Sequence, residues 1–159
     1  MKNIISLLMI FSMLVVLSSC APTTAEQIQQ LQQTQTSLNN HASANLAKIA
    51  DLHTKITNYR LEADQLQKQS NSLADDIASI NKAYSNFKDP NSDSAIAVSK
   101  ELVQRTLQKV KIDEKINQYR TLANDYQAQI NDLKAISQTQ ANQAAKISQQ
   151  ISQLKSQVK

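Results

Sequence analysis

The chain has 159 residues and a formal charge of +4, with no glycine, no tryptophan, two prolines and one cysteine. Glycine is the usual residue for tight turns, hairpins and phosphate-cradling loops, so its absence disfavours sheet-rich folds and most enzyme scaffolds. The modest positive charge has no basic motif or aromatic platform beside it, so it reads as a solvated helix surface and no nucleic-acid partner is expected.

The chain opens on an export pattern over residues 1–19. Lys2 supplies the positive end, Ile4 to Leu17 a short apolar core, and Ser18-Ser19-Cys20 a small-residue cleavage region. The apolar run is short for a membrane span and ends directly in small residues, which favours a cleaved signal peptide. Leu17-Ser18-Ser19-Cys20 resembles the lipobox of bacterial lipoproteins, which signal peptidase II cuts before the cysteine. The resemblance covers the first twenty residues and concerns processing. It implies that Cys20 becomes the first residue of the mature chain, carrying a thioether-linked diacylglycerol and an N-acyl group such as palmitate. Several acyl chains on one residue give stable membrane anchoring, at about 0.8 kcal/mol per buried methylene. Ala21 follows where enterobacterial lipoproteins retained at the inner membrane carry Asp, so the resemblance implies outer-membrane sorting. The structural alternative for Cys20 is a small buried hydrophobe. As the sole cysteine it has no partner for an intramolecular disulfide.

Residues 20–24 form a lipidated tether, with Pro22 unable to continue a helix from before it. Thr23 or Thr24 is placed to cap the first helix, and Thr24 with Gln27 fits a capping box. A heptad seam then runs over the helix expected at 25–87. Its a positions are Ile28, Gln35, Ala42, Ile49, Ile56, Ala63, Ser70, Ile77 and Tyr84. Its d positions are Leu31, Leu38, Asn45, Leu52, Tyr59, Leu66, Leu73, Ile80 and Phe87. An unbroken seven-residue repeat keeps a narrow apolar stripe on one side of the helix, and that stripe needs a second helix to cover it.

A turn is expected at 88–94, where Lys88-Asp89-Pro90-Asn91-Ser92-Asp93-Ser94 is the turn-rich cluster of the mature chain. Asp89 before Pro90 resembles a helix N-cap with proline at the first helical position. A second helix is expected at 95–158. Its a positions are Ala95, Leu102, Lys109, Ile116, Ala123, Ile130, Ser137, Ala144, Ile151 and Val158, and its d positions Val98, Arg105, Ile112, Tyr119, Tyr126, Leu133, Gln140, Ile147 and Leu154. Both helices are roughly 90 Å long at 1.5 Å per residue. Equal halves about one short turn predict an all-α fold, a long antiparallel coiled-coil hairpin over 25–159.

In an antiparallel pair, facing residue numbers have a constant sum. Phe87 opposite Ala95 sets it at 182. Tyr59 then faces Ala123, Ala63 faces Tyr119, Leu52 faces Ile130, and Asn45 faces Ser137. A weak repeat, Lys55-Ile56-x-x-Tyr59-Arg60-x-x-Ala63 and Lys115-Ile116-x-x-Tyr119-Arg120-x-x-Ala123, falls in the same heptad phase. It places Arg60 and Arg120 beside one layer as like charges, a small cost if the side chains splay.

No catalytic constellation emerges. His41 and His53 sit at g and e positions without a convergent carboxylate or cysteine, so no metal ligand, cofactor or catalytic residue is assigned. Asp75-Asp76 and Asp113-Glu114 are sequence neighbours that point in different directions, the pattern of a solvated face. Two features bear on partners. Ile96, Val103, Leu107 and Val110 occupy b and f positions, nearly opposite the seam and only near the turn. They read either as a partner patch at the hairpin tip or as a local register shift, since Arg105 and Lys109 are poor seam residues. Lys159 ends the chain. With the lipobox and the heptad helix it resembles the murein lipoproteins, which implies a terminal lysine joined to peptidoglycan. The chain departs from that family in its two long helices and proline-marked turn, which return Lys159 to the lipid end.

These features predict a non-enzymatic lipoprotein of the cell envelope, anchored through Cys20 in the outer membrane and facing the periplasm. The rod or its tip would act as scaffold, spacer or protein-interaction module, with a protein partner or self-association through the helices. The alternatives are a peptidoglycan tether and a surface-exposed adhesin-like lipoprotein.

Overall fold

The computed structural model describes residues 22–157. The signal, the lipobox with Cys20, Val158 and Lys159 lie outside the described residues. Two helices account for nearly all of the rest: α1, Thr24–Ser85, and α2, Asp93–Gln157. They have 62 and 65 residues, or about 93 and 98 Å of rise. They pack along their length as an antiparallel hairpin with no strand among the described residues.

Both helix starts and the end of α1 have a chemical cause. Thr23 is the N-cap of α1: its Oγ1 accepts from the Glu26 backbone N–H at 3.3 Å, and Glu26 Oε2 accepts from the Thr23 N–H at 2.7 Å. The capping box is therefore Thr23–Glu26, not Thr24–Gln27. Both pairs fit the spacing, and the carboxylate makes the stronger, charge-assisted bond. It also places a negative charge at the positive end of the helix dipole. At the other end α1 stops at Ser85, two residues short of the expected Phe87. Asn86 stays right-handed at φ −87° and ψ −8°, and its N–H donates to the Ala83 carbonyl at 3.2 Å. This tight final turn substitutes for the left-handed glycine cap that the chain lacks.

The turn differs from expectation in one respect. Asp89 does not cap α2. Its Oδ1 accepts from the Asn91 N–H at 2.9 Å, folding an Asx turn around Pro90. Ser92 takes the capping role: its Oγ accepts from the Ala95 N–H at 3.3 Å and its carbonyl from the Ile96 N–H at 2.9 Å. The helix accordingly starts at Asp93, two residues before Ala95.

Between these ends the seam follows the heptads. Every a and d position from Ile28 to Leu154 is buried or half-buried, and every fully buried residue is one of them. The best-packed stretch is the middle of the rod, where Ile49, Leu52, Ile56, Ala123 and Ile130 form one cluster flanked by Tyr59, Tyr126 and Leu133. This cluster unites two of the expected pairs, Leu52 with Ile130 and Tyr59 with Ala123. The small seam residues Ala63 and Ala123 are almost completely covered. The tyrosines gather beside them, with Tyr59 at 5.4 Å from Tyr119 and 5.9 Å from Tyr126, centroid to centroid. Lys55 and Lys115 lie over the Tyr126 and Tyr119 rings at 5.9 and 5.6 Å, within cation–π range. Arg120 avoids its like-charged neighbour by reaching Gln67 Oε1 at 3.2 Å.

The seam from Ile28 to Leu154, both N-caps and the turn lie within residues 22–157. A fragment of residues 22–157 therefore keeps every described contact between the two helices.

Candidate functional site

Toward the turn the packing changes character. Lys109 and Arg105 occupy seam positions on α2, opposite Ser70, Leu73, Ile77 and Ile80 of α1. A charged side chain in a seam must find partners or reach water, and these do both. Lys109 Nζ donates to Asp113 Oδ2 at 2.6 Å, and Ser70 Oγ donates to Asp113 Oδ1 at 2.5 Å. Ser70 is 1% exposed, so this bond is what satisfies its buried hydroxyl. Asp113 is half-buried and bridges the two helices, contrary to the solvated-face expectation for Asp113-Glu114. The Lys109 hydrogen bond, then that of Ser70, holds the Asp113 carboxyl below the usual carboxylate range. One turn nearer the tip, Arg105 reaches Asp76 across the seam at 3.6 Å and Glu101 on its own helix at 3.7 Å.

These contacts accommodate α2 in its original phase. Ala95 on one side and Ile116 on the other are fully buried, so no register shift occurs between them. Turning the intervening helix to bury the outer apolar residues would need a rotation of nearly half a turn, because b and f lie on the far side of a heptad. Ile96, Val103, Leu107 and Val110 consequently face solvent, at 42%, 55%, 57% and 47% exposure. They recur at helical spacing along one face and form a stripe. Leu46, Leu61 and Ile136 are also exposed but stand apart in the sequence, and scattered apolar side chains are normal on a surface.

The half of the rod away from the turn has a second polar stretch. Asn45 Nδ2 donates to Gln140 Oε1 at 3.2 Å and Gln35 Nε2 to the Ala144 carbonyl at 3.5 Å. Asn45 thus pairs with Gln140 rather than with Ser137, whose buried Oγ has no hydrogen-bond partner among the described residues. The longer glutamine reaches across a full helical turn, which a residue-number sum does not capture.

Among the described residues no three of His, Cys, Asp and Glu converge. His41 borders an open polar groove with Gln29, Gln33 and Asn40, and His53 is exposed elsewhere on α1. No helix among the described residues is long and apolar enough to cross a membrane. No protein family, curated protein or solved structure matches the chain.

Proposed function

We propose that this chain is a non-enzymatic lipoprotein of the bacterial cell envelope. Cys20 is lipidated and tethered in the outer membrane, and the hairpin acts as a scaffold or spacer on the periplasmic side. The observation that carries the reading is the short distance in sequence between the lipobox and the rod. Helix α1 begins at Thr24, four residues after Cys20, with a capping box at its first turn. A tether that short couples an anchor at Cys20 closely to the base of a rod about 95 Å long, so the rod would stand off from the bilayer rather than drift at the end of a flexible linker. The apolar stripe near the turn would then sit at the far end, where a spacer makes contact.

Peptidoglycan as a covalent partner through Lys159 has less support. The antiparallel return of α2 brings Gln157 back to the end at which α1 starts, two residues before the lysine. A wall-linked lysine would have to work beside the anchor instead of a rod's length away. A surface-exposed orientation of the same rod is separated by protease accessibility on intact cells. Digestion without permeabilisation would place the rod outside.

The lipid assignment has a direct test. Replacing Cys20 with serine abolishes incorporation of a labelled fatty acid and releases the protein from the membrane fraction. Undiminished label in the Cys20→Ser protein would sink the lipoprotein reading.

A further inference from the structure

We infer that the apolar stripe of α2 is a docking face for a second copy of this chain, with two hairpins overlapping antiparallel at their tips. This goes beyond the anchored-spacer reading: rods standing off one membrane point the same way, so a tip-to-tip overlap joins copies that face one another across a gap. The contact itself needs no lipid and does not rest on that reading.

The stripe is part of a longer pattern. Ile96, Lys100, Val103, Leu107, Val110 and Glu114 follow one another at spacings of four, three, four, three and four, and all six are exposed. That is a second heptad track on α2, nearly opposite the first. The first track is covered by α1. A heptad track is complementary to another helix with the same repeat, because each knob needs a hole framed by four residues at heptad spacing. The chain itself supplies such a helix in its own copy, and two-fold pairing of identical patches is the commonest way proteins self-associate.

The charges select the direction. Lys100 lies toward the tip, between Ile96 and Val103, and Glu114 closes the track on the other side, and neither joins an ion pair among the described residues. In a parallel pair Lys100 would face Lys100 and Glu114 would face Glu114. In an antiparallel pair with its two-fold axis level with Arg105, Val103 of one copy packs on Leu107 of the other, the stem of Lys100 lies along the other copy's Val110, and Ile96 lies level with the other copy's Glu114. Lys100 is then four residues, about 6 Å of rise, from the level of the other copy's Glu114, within reach of a lysine side chain. Lys111, three residues before Glu114, and Asp93, at the start of α2, fall in the same cluster. Each end of the contact therefore gathers two cations and two carboxylates, contributed by both copies.

The size of the patch sets the strength. Four half-exposed aliphatic side chains per copy fall well short of the roughly 800 Å² per partner of a standard stable interface. The association is therefore weak and reversible, and it depends on concentration. Its geometry is distinctive. Two rods of about 95 Å overlapping by about 40 Å at their tips span roughly 150 Å, whereas side-by-side rods stay near 100 Å.

Small-angle scattering and sedimentation of the hairpin, residues 22–157, from micromolar to millimolar concentration test this. The expected result is a monomer–dimer equilibrium in which the longest dimension rises from about 100 to about 150 Å. Replacing Val103 and Leu107 together with glutamine weakens dimerisation at least tenfold while leaving the melt of the dilute monomer in place. Lys100→Glu and Glu114→Lys each weaken it, and the two changes combined restore it. A hairpin still monomeric at millimolar concentration overturns the inference. So does a dimer no longer than the monomer, or a charge-swapped double variant that stays weak. None of these outcomes touches the anchored-spacer reading, which is decided by the labelling of Cys20. Conversely, loss of that reading leaves a measured tip-to-tip dimer intact.

Discussion

The middle of the rod and its tip obey the same heptad phase with opposite distributions of polarity. In the middle, Ile49, Leu52, Ile56 and Ile130 fill the seam and tyrosines close its flanks. Near the tip, Ser70, Arg105 and Lys109 stand in the seam while Val103, Leu107 and Val110 face solvent. A helix free to choose its face locally would bury the valines. It does not, because a continuous α-helix transmits rotation along its length, and the well-packed middle fixes the phase of everything attached to it. The outer stripe is exposed because the rest of the molecule holds it there.

The contrast can be tested from its strongest term downward. Ile130→Ala removes a fully buried side chain from the middle cluster and should cost about 2–5 kcal/mol in circular-dichroism melts of the hairpin. A loss under about 1 kcal/mol would mean that the middle does not dominate the packing. At the tip, Ser70→Ala deprives Asp113 of a hydrogen bond, but Asp113 keeps Lys109 and some access to water, so the expected cost is about 1 kcal/mol. Ser137→Ala should act with the opposite sign. It removes a buried hydroxyl that makes no hydrogen bond, and the melt should rise by up to about 1 kcal/mol of stability. A fall would show that the hydroxyl is satisfied in solution.

A pH effect comes next in size. Asp113 has a folded-state pKa below its unfolded value because Lys109, then Ser70, favours the carboxylate. The unfolded chain therefore binds the proton more readily, and the contribution of Asp113 is fully present above the ordinary carboxylate pKa of about 4. It is lost as pH falls through the lowered folded value. Melting temperatures between about pH 6 and pH 2 should fall in the parent and less steeply in Lys109→Met. Equal slopes would assign the acid sensitivity to other carboxylates. The smallest expected effect is that of Val103→Gln with Leu107→Gln on the dilute hairpin, under about 0.5 kcal/mol. A seam position would lose about 1.5–3 kcal/mol at each site, so a large drop would put these residues inside the packing and erase the contrast.

The seam was legible because it depends on a single periodicity sustained from Ile28 to Leu154, and errors in individual residues do not disturb a long repeat. The hairpin followed from one turn cluster and two equal tracks. Features resting on competition between neighbouring side chains were harder to read. Thr23–Glu26 and Thr24–Gln27 both satisfy the capping spacing, and only the bond geometry favours the first. Asp89 and Ser92 both suit an N-cap, and Pro90 drew attention to the wrong one. The constant sum found the layers but not the reach of Gln140 toward Asn45, nor the crowding of three tyrosines beside two alanines. In the candidate site, Ile96, Val103, Leu107 and Val110 stood out by position, and Lys109 with Asp113 is an ordinary i,i+4 pair, whereas the Ser70–Asp113 link across the seam gave no local signal. Its members are 43 residues apart in sequence on opposite helices.

The hairpin also determines how the molecule carries load. A pull between the turn and the base runs along both helix axes and is borne by the backbone hydrogen bonds of two helices in parallel. A pull that separates Thr24 from Gln157 acts across the seam and opens it one layer at a time, as a zip opens. The first layers to part are held by Leu31, Leu154 and Ile151, and behind them lies the polar stretch of Gln35, Asn45 and Gln140. The tyrosine-flanked middle would then act as a stop, so the same rod is stiff under tension along its length and yields from its open end.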